Sequence, residues 1–77
     1  MEEKLVDILV ELCSDDIVRK NREVELFESG LLDSLAFAEL LFDIEEQFGV
    51  IISPSEISRE QFNTPNMIIN EIQKRLK

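Results

Sequence analysis

The chain has 77 residues, with 17 Asp and Glu against 8 Lys and Arg, one Cys, and no His, Trp or Tyr. This length suits one small domain over residues 1–77, and 44% apolar residues predict that it folds. A net charge of −9 argues against nucleic acid or an anionic membrane as partner, the missing His removes the commonest general base, and one Cys gives neither an internal disulfide nor a zinc set.

The first element is helical in pattern. Leu5, Ile8, Leu9 and Leu12 recur at the i, i+3, i+4, i+7 spacing, with Lys4, Asp7 and Glu11 on the other side. Cys13 falls on its buried side, where it reads as a small core residue. The stretch is acidic and has no basic region ahead of a cleavage site, so it does not read as a signal peptide. A loop of about twenty residues follows, from Ser14 to Asp33. Connections that long are usually functional or carry structure of their own. Ile17, Val18, Val24, Leu26 and Phe27 predict that it packs down, and Gly30 reads as a turn.

A second helix runs from about Ser34 to Phe48, with Phe37, Leu40, Leu41, Ile44 and Phe48 on one face and Gly49 as a left-handed stop. Val50-Ile51-Ile52 has no partner strand and reads as an extended connector. A short helical turn is expected around Pro54–Ile57, with Ser53 as its cap. Thr64-Pro65 opens a third helix as N-cap and first-turn proline. Its inward residues are Ile68, Ile69, Ile72 and Leu76, and Lys74, Arg75 and Lys77 suit the negative end of its dipole. No apolar run approaches the ~20 residues that span a bilayer. The expectation is an all-α bundle with three main helices, one short helix and a long first loop. It should be cytoplasmic and, lacking a heptad seam, monomeric.

The acidic excess is unevenly placed. Between Arg22 and Arg59 there is no basic residue, yet the interval holds Glu23, Glu25, Glu28, Asp33, Glu39, Asp43, Glu45, Glu46 and Glu56. These account for the whole net charge. On the second helix Glu39, Asp43 and Glu46 lie within roughly 60° of one another, at about 100° per residue. None has a basic residue four positions on. A run of charge is often only a solvated face, but an unpaired stripe of one sign also suits docking to basic partners. Leu35 and Phe42 project to the edge of this stripe. Neighbouring segments are expected to cover Phe42, whereas Leu35, in the first turn, is a candidate partner contact. The acids lack the spacing of an EF-hand loop, so no metal site is expected.

Asp33-Ser34 stands where the long loop becomes the second helix. Ser is a favoured N-cap and Asp suits the positive end of the dipole, which by itself is an ordinary helix start. The same place also suits a phosphodiester, because a helix N-terminus offers N–H groups and partial positive charge. Gly30-Leu31-Leu32-Asp33-Ser34-Leu35, then Ala38-Glu39-Leu40-Leu41, then Ile44-Glu45-Glu46-Gln47-Phe48-Gly49 resembles the signature of the acyl carrier protein family. The resemblance extends to length, acidity, long first loop and short third helix.

Within that family the chain is similar to the D-alanyl carriers of teichoic acid D-alanylation. The similarity lies in Gly30-Leu31-Leu32-Asp33-Ser34, in Glu11-Leu12-Cys13-Ser14-Asp15-Asp16-Ile17-Val18 and in Phe62-Asn63-Thr64-Pro65-Asn66-Met67-Ile68. Two positions depart from it: Leu35 stands where the subgroup often has Phe, and Phe62 where it often has Trp. Leu35 is the residue type of fatty-acid carriers.

The resemblance implies that Ser34 carries 4′-phosphopantetheine, installed from coenzyme A by a phosphopantetheinyl transferase. An ATP-dependent D-alanine ligase would then load the terminal thiol as a thioester. A membrane-bound O-acyltransferase system would pass the D-alanine toward lipoteichoic acid in cell wall biogenesis. By the same analogy Asp33, Leu35, Glu39, Asp43 and Glu46 are candidates for partner recognition. The chain itself would be a carrier and not an enzyme, with no catalytic residue and no metal. A fatty-acid, polyketide or peptidyl carrier would share the Ser34 chemistry and differ in cargo. An unmodified acidic adaptor domain is the alternative of another class.

Overall fold

A computed structural model describes residues 1–53 and 55–76. Four α-helices and one 3₁₀ turn follow in order: α1 Glu2–Cys13, α2 Ile17–Lys20, α3 Ser34–Phe48, the 3₁₀ turn Arg59–Phe62, and α4 Pro65–Arg75. No strand occurs among the described residues. The predicted all-α bundle is therefore the observed fold, with α1 packed against α2, α3 and α4.

The helix ends follow their local chemistry. Glu2 and Glu3 occupy the first turn of α1, where its dipole favours them. The helix stops at Ser14, in the left-handed conformation with φ 54°. Gly49 ends α3 at φ 69°, with its N–H donating to the Glu45 carbonyl. Thr64 caps α4 through its Oγ1, which accepts the Met67 N–H at 3.2 Å, and Pro65 follows in the first turn. Glycine and proline thus stand at the stop and the start that their backbones favour.

The core is one apolar cluster drawn from every element. Leu5, Val6 and Leu9 of α1, Phe37, Leu40, Leu41 and Ile44 of α3, and Ile68, Ile69 and Ile72 of α4 are all buried. Phe62 joins them, and its ring meets that of Phe37 edge to face at 6.1 Å. The long loop does pack down: Val18 and Leu26 are completely buried, and Ile17, Val24 and Phe27 are half-buried. Part of it is helical, since α2 lies within it. Val50 and Ile52 are buried while Ile51 between them is 72% exposed, the alternation of an extended connector.

Two expectations need correction. The short helical turn lies at Arg59–Phe62 rather than around Pro54–Ile57. Ser53 and Glu56 form a hydrogen-bonded turn, in which the Glu56 N–H donates to the Ser53 carbonyl at 2.9 Å and the Ser53 N–H to the Glu56 carboxylate at 2.7 Å. Pro54 lies outside the described residues, as does Lys77. Leu76, expected to face inward, is 45% exposed because α4 ends at Arg75. The spaced residues of α1 do face the core: Leu5 and Leu9 are buried, Ile8 and Leu12 are half-buried against it, and Val6 is buried as well.

Candidate functional site

The head of α3 is built by Asp33. Its backbone is extended, and its carboxylate Oδ1 accepts the Ala36 N–H at 2.8 Å. Asp33, and not Ser34, is therefore the N-cap, so the ordinary reading of this serine as a helix cap does not hold. Ser34 is the first helical residue, and it is exposed. The loop ahead of it turns at Gly30, where φ is 81°. The Leu32 N–H then donates to the Leu26 carbonyl at 3.0 Å. This bond closes the loop and delivers the chain to the helix start in one conformation.

Among the described residues the acids of α3 make no ion pair, and all but Asp43 are exposed. Glu39 and Glu46 are exposed and Asp43 is half-buried. Among the described residues every ion pair lies elsewhere: Arg19 with Asp7 and Asp16, Arg22 with Glu2, and Lys74 and Arg75 with Glu71. Four basic residues are thus engaged by acids of α1 and α4 and by Asp16 just ahead of α2, and none of the four reaches the α3 stripe. The fold adds one acid that the helical wheel of α3 omits. Glu11 and Leu12 of α1 line a surface cleft of about 330 Å³ together with Glu39 and Asp43. The relation between Glu11 and the α3 stripe exists only because α1 and α3 pack side by side.

Two apolar side chains accompany the acids. Leu35 is 71% exposed, as expected for a first-turn residue without cover. Phe42 is 62% exposed, against the expectation that a neighbouring segment covers it. The two are seven residues apart on α3 and so share a face. The sequence signal was present: Phe42 lies off the inward face of Phe37, Leu40, Leu41 and Ile44. Cys13, the one thiol, is half-buried and packs against the core. Burial first, and then the charge of Asp15, push its thiol up to about 11. It is protonated at neutral pH and a poor nucleophile.

Comparison with known proteins places this geometry in a class. The family model described as "Phosphopantetheine attachment site" matches residues 3–72, and the chain belongs to that family of phosphopantetheine-bearing carriers. Its group, 4′-phosphopantetheine, is held covalently. More particularly, the chain is similar to proteins named "D-alanyl carrier protein". It is 44% identical over 71 residues to that of Bacillus subtilis (strain 168), covering 92% of this chain and 91% of the relative. The corresponding protein of Bacillus velezensis is 42% identical over 71 residues, with the same coverage. That of Abiotrophia defectiva is 41% identical over 76 residues, 99% of this chain and 96% of the relative.

The residues present fit such a group. Ser34 is an exposed residue carrying a hydroxyl at the positive end of a 15-residue helix. The neighbouring negative charge of Asp33 is turned back onto the Ala36 N–H. Among the described residues no helix is long and apolar enough to cross a membrane, and no cluster of His, Cys, Asp or Glu is arranged to hold a metal ion.

Proposed function

We propose that this chain is a D-alanyl carrier, with Ser34 as the attachment site of 4′-phosphopantetheine. The observation that carries the reading is the exposed Ser34 at the first position of α3, with Asp33 as its cap. In the modification the Ser34 Oγ attacks the phosphorus of coenzyme A next to the pantetheine. The bond to the second phosphate breaks, adenosine 3′,5′-bisphosphate leaves, and the serine proton passes to a base of the transferase. When bound, the group supplies a thiol that holds an aminoacyl cargo as a thioester.

The chain's own residues then orient and recognise. Asp33 fixes the first turn, so the modified serine projects from a rigid helix end. Leu35 and Phe42 offer an exposed apolar face, and Glu39, Asp43 and Glu46 offer charge to basic surfaces on the partners. Those partners are a phosphopantetheinyl transferase, an ATP-dependent D-alanine ligase and a membrane-bound O-acyltransferase serving lipoteichoic acid. Coenzyme A and ATP are cytoplasmic, so both loading steps belong there. Cys13 does not compete for cargo, because its thiol stays protonated at neutral pH.

The test is the intact mass of the protein after incubation with coenzyme A and a transferase, followed by D-alanine, ATP and the ligase. The wild type should gain one phosphopantetheinyl group and then one D-alanyl group, and Ser34→Ala neither. A modified Ser34→Ala protein would overturn the site. Efficient fatty acylation without D-alanylation would overturn the cargo. No modification by an active transferase would move the acidic adaptor reading to first place.

A further inference from the structure

The segment Phe62-Asn63 is where the chain after α3 meets the loop before it. The main-chain carbonyl of Asn63 accepts the Leu26 N–H at 2.6 Å, and its side-chain Oδ1 accepts the Phe27 N–H at 3.3 Å. One residue thus takes two consecutive N–H groups of a loop 36 positions earlier. The rings on either side reinforce the clamp. Phe27 meets Phe37 edge to face at 5.6 Å, and Phe37 meets Phe62 at 6.1 Å.

The clamped pair leads directly to the helix start. Leu26, held by Asn63, accepts the Leu32 N–H through its own carbonyl at 3.0 Å, and Phe27 accepts the Gly30 N–H at 3.2 Å. Leu32 is buried, with 3% exposure, and immediately precedes Asp33-Ser34. Two paths of hydrogen bonds therefore leave Asn63: one from its main-chain carbonyl through Leu26 to Leu32, and one from its side-chain Oδ1 through Phe27 to the Gly30 turn ahead of Asp33-Ser34. We propose that Asn63 is a positioning residue for Ser34: its side-chain oxygen holds the 26–32 loop closed and so fixes the orientation in which the serine hydroxyl meets the modifying enzyme. The inference rests on Ser34 being the attachment site. Its physical basis is that small misplacements of a reacting group cost rate, while the binding of the other substrate is left alone.

Asn63→Ala removes the Phe27 acceptor and leaves the main-chain bond to Leu26. Asn63→Asp keeps a side-chain oxygen at the same distance along the chain. Asn66→Ala is the control: its side chain donates to the exposed Glu23 carboxylate at 3.1 Å, upstream of the clamped loop. For each protein we would measure kcat and KM of phosphopantetheinyl transfer from coenzyme A, and amide hydrogen exchange at Phe27 and Gly30. Asn63→Ala should lower kcat by about tenfold with the KM for coenzyme A unchanged, and both amides should exchange faster. Asn63→Asp should restore both readouts, and Asn66→Ala should match the wild type. Faster exchange in Asn63→Ala with a wild-type kcat would overturn the proposal, as would an equal loss in Asn66→Ala. If Asn63→Ala does not fold, Asn63→Asp decides: a wild-type kcat supports the role of the oxygen, and a tenfold loss rejects it. A wild type that takes no group at all would instead bring down the Ser34 reading, and this inference with it.

Discussion

The carboxylate of Asp33 accepts the Ala36 N–H at 2.8 Å, which makes the residue before Ser34 the structural cap of α3. A cap of this kind is worth about 1 kcal/mol. Asp33→Ala should therefore lower stability by about 1 kcal/mol, read as a shift in the urea midpoint, while Asp33→Asn should retain most of it. If the charge of Asp33 also guides the transferase, Asp33→Asn will keep the stability and still slow modification. Equal behaviour of the asparagine variant and the wild type in both assays would confine Asp33 to capping.

Phe42 and Phe62 make a sharper pair. Phe42 is 62% exposed and Phe62 is completely buried against Phe37. Truncating Phe62 to Ala should cost about 3–5 kcal/mol, a large share of what a domain this small has. Phe42→Ala should change stability by less than about 0.5 kcal/mol and act instead on affinity for the ligase. Surface plasmon resonance with the ligase, beside a thermal melt, separates the two effects. An unchanged affinity would remove Phe42 from the docking face.

Charge reversal tests the acidic stripe and the cleft it shares with α1. Glu39→Lys and Asp43→Lys should slow association with the ligase, and the difference from wild type should shrink as salt rises and the screening length falls to about 8 Å at physiological ionic strength. Glu11→Lys should behave in the same way, because Glu11 lines the same cleft as Glu39 and Asp43. Reversal of Glu3, exposed in the first turn of the same helix, serves as a control for net charge. Equal slowing by all four would mean that only total charge matters.

Cys13 gives a prediction in pH. Its folded-state value, about 11, lies above the ordinary thiol value, so the native state holds the proton more tightly than the unfolded chain. The stability this contributes is present below about pH 9 and is lost as pH rises toward about 11. The melting temperature of the wild type should therefore fall more steeply than that of Cys13→Ala over that window. At pH 7.5 iodoacetamide should react with native Cys13 on the order of 100-fold more slowly than with the unfolded chain, in proportion to the thiolate present. Rapid alkylation of the native protein would contradict the burial of this thiol.

Much of the architecture was readable from local chemistry. The apolar spacing of Phe37, Leu40, Leu41 and Ile44 identified α3, Gly49 marked its end, and Thr64-Pro65 marked the start of α4. Each of these signals lies within one turn of the residue it governs, so no distant contact was needed. The charge interval between Arg22 and Arg59 was equally plain, and the ion pairs of the fold leave it without basic partners among the described residues. The position of Ser34 at the helix head followed from the change of pattern between Asp33 and Leu35.

The errors fall where the answer depended on residues far along the chain. Phe42 and Leu76 were assigned cover that no neighbouring segment supplies, since burial is set by what packs opposite and not by residue type. The short turn was placed at a proline-containing stretch, whereas the 3₁₀ turn forms where Phe62 reaches the core. Glu11 joins Glu39 and Asp43 only across the α1–α3 contact, and Asn63 holds Leu26 and Phe27 only across 36 or more residues of sequence. Periodicity and capping act over a few residues, so the helices, their ends and the excess of charge could be read along the chain alone. Which side chains meet between them was decided by the tertiary structure, because those contacts form only once separate elements bury one another's apolar faces.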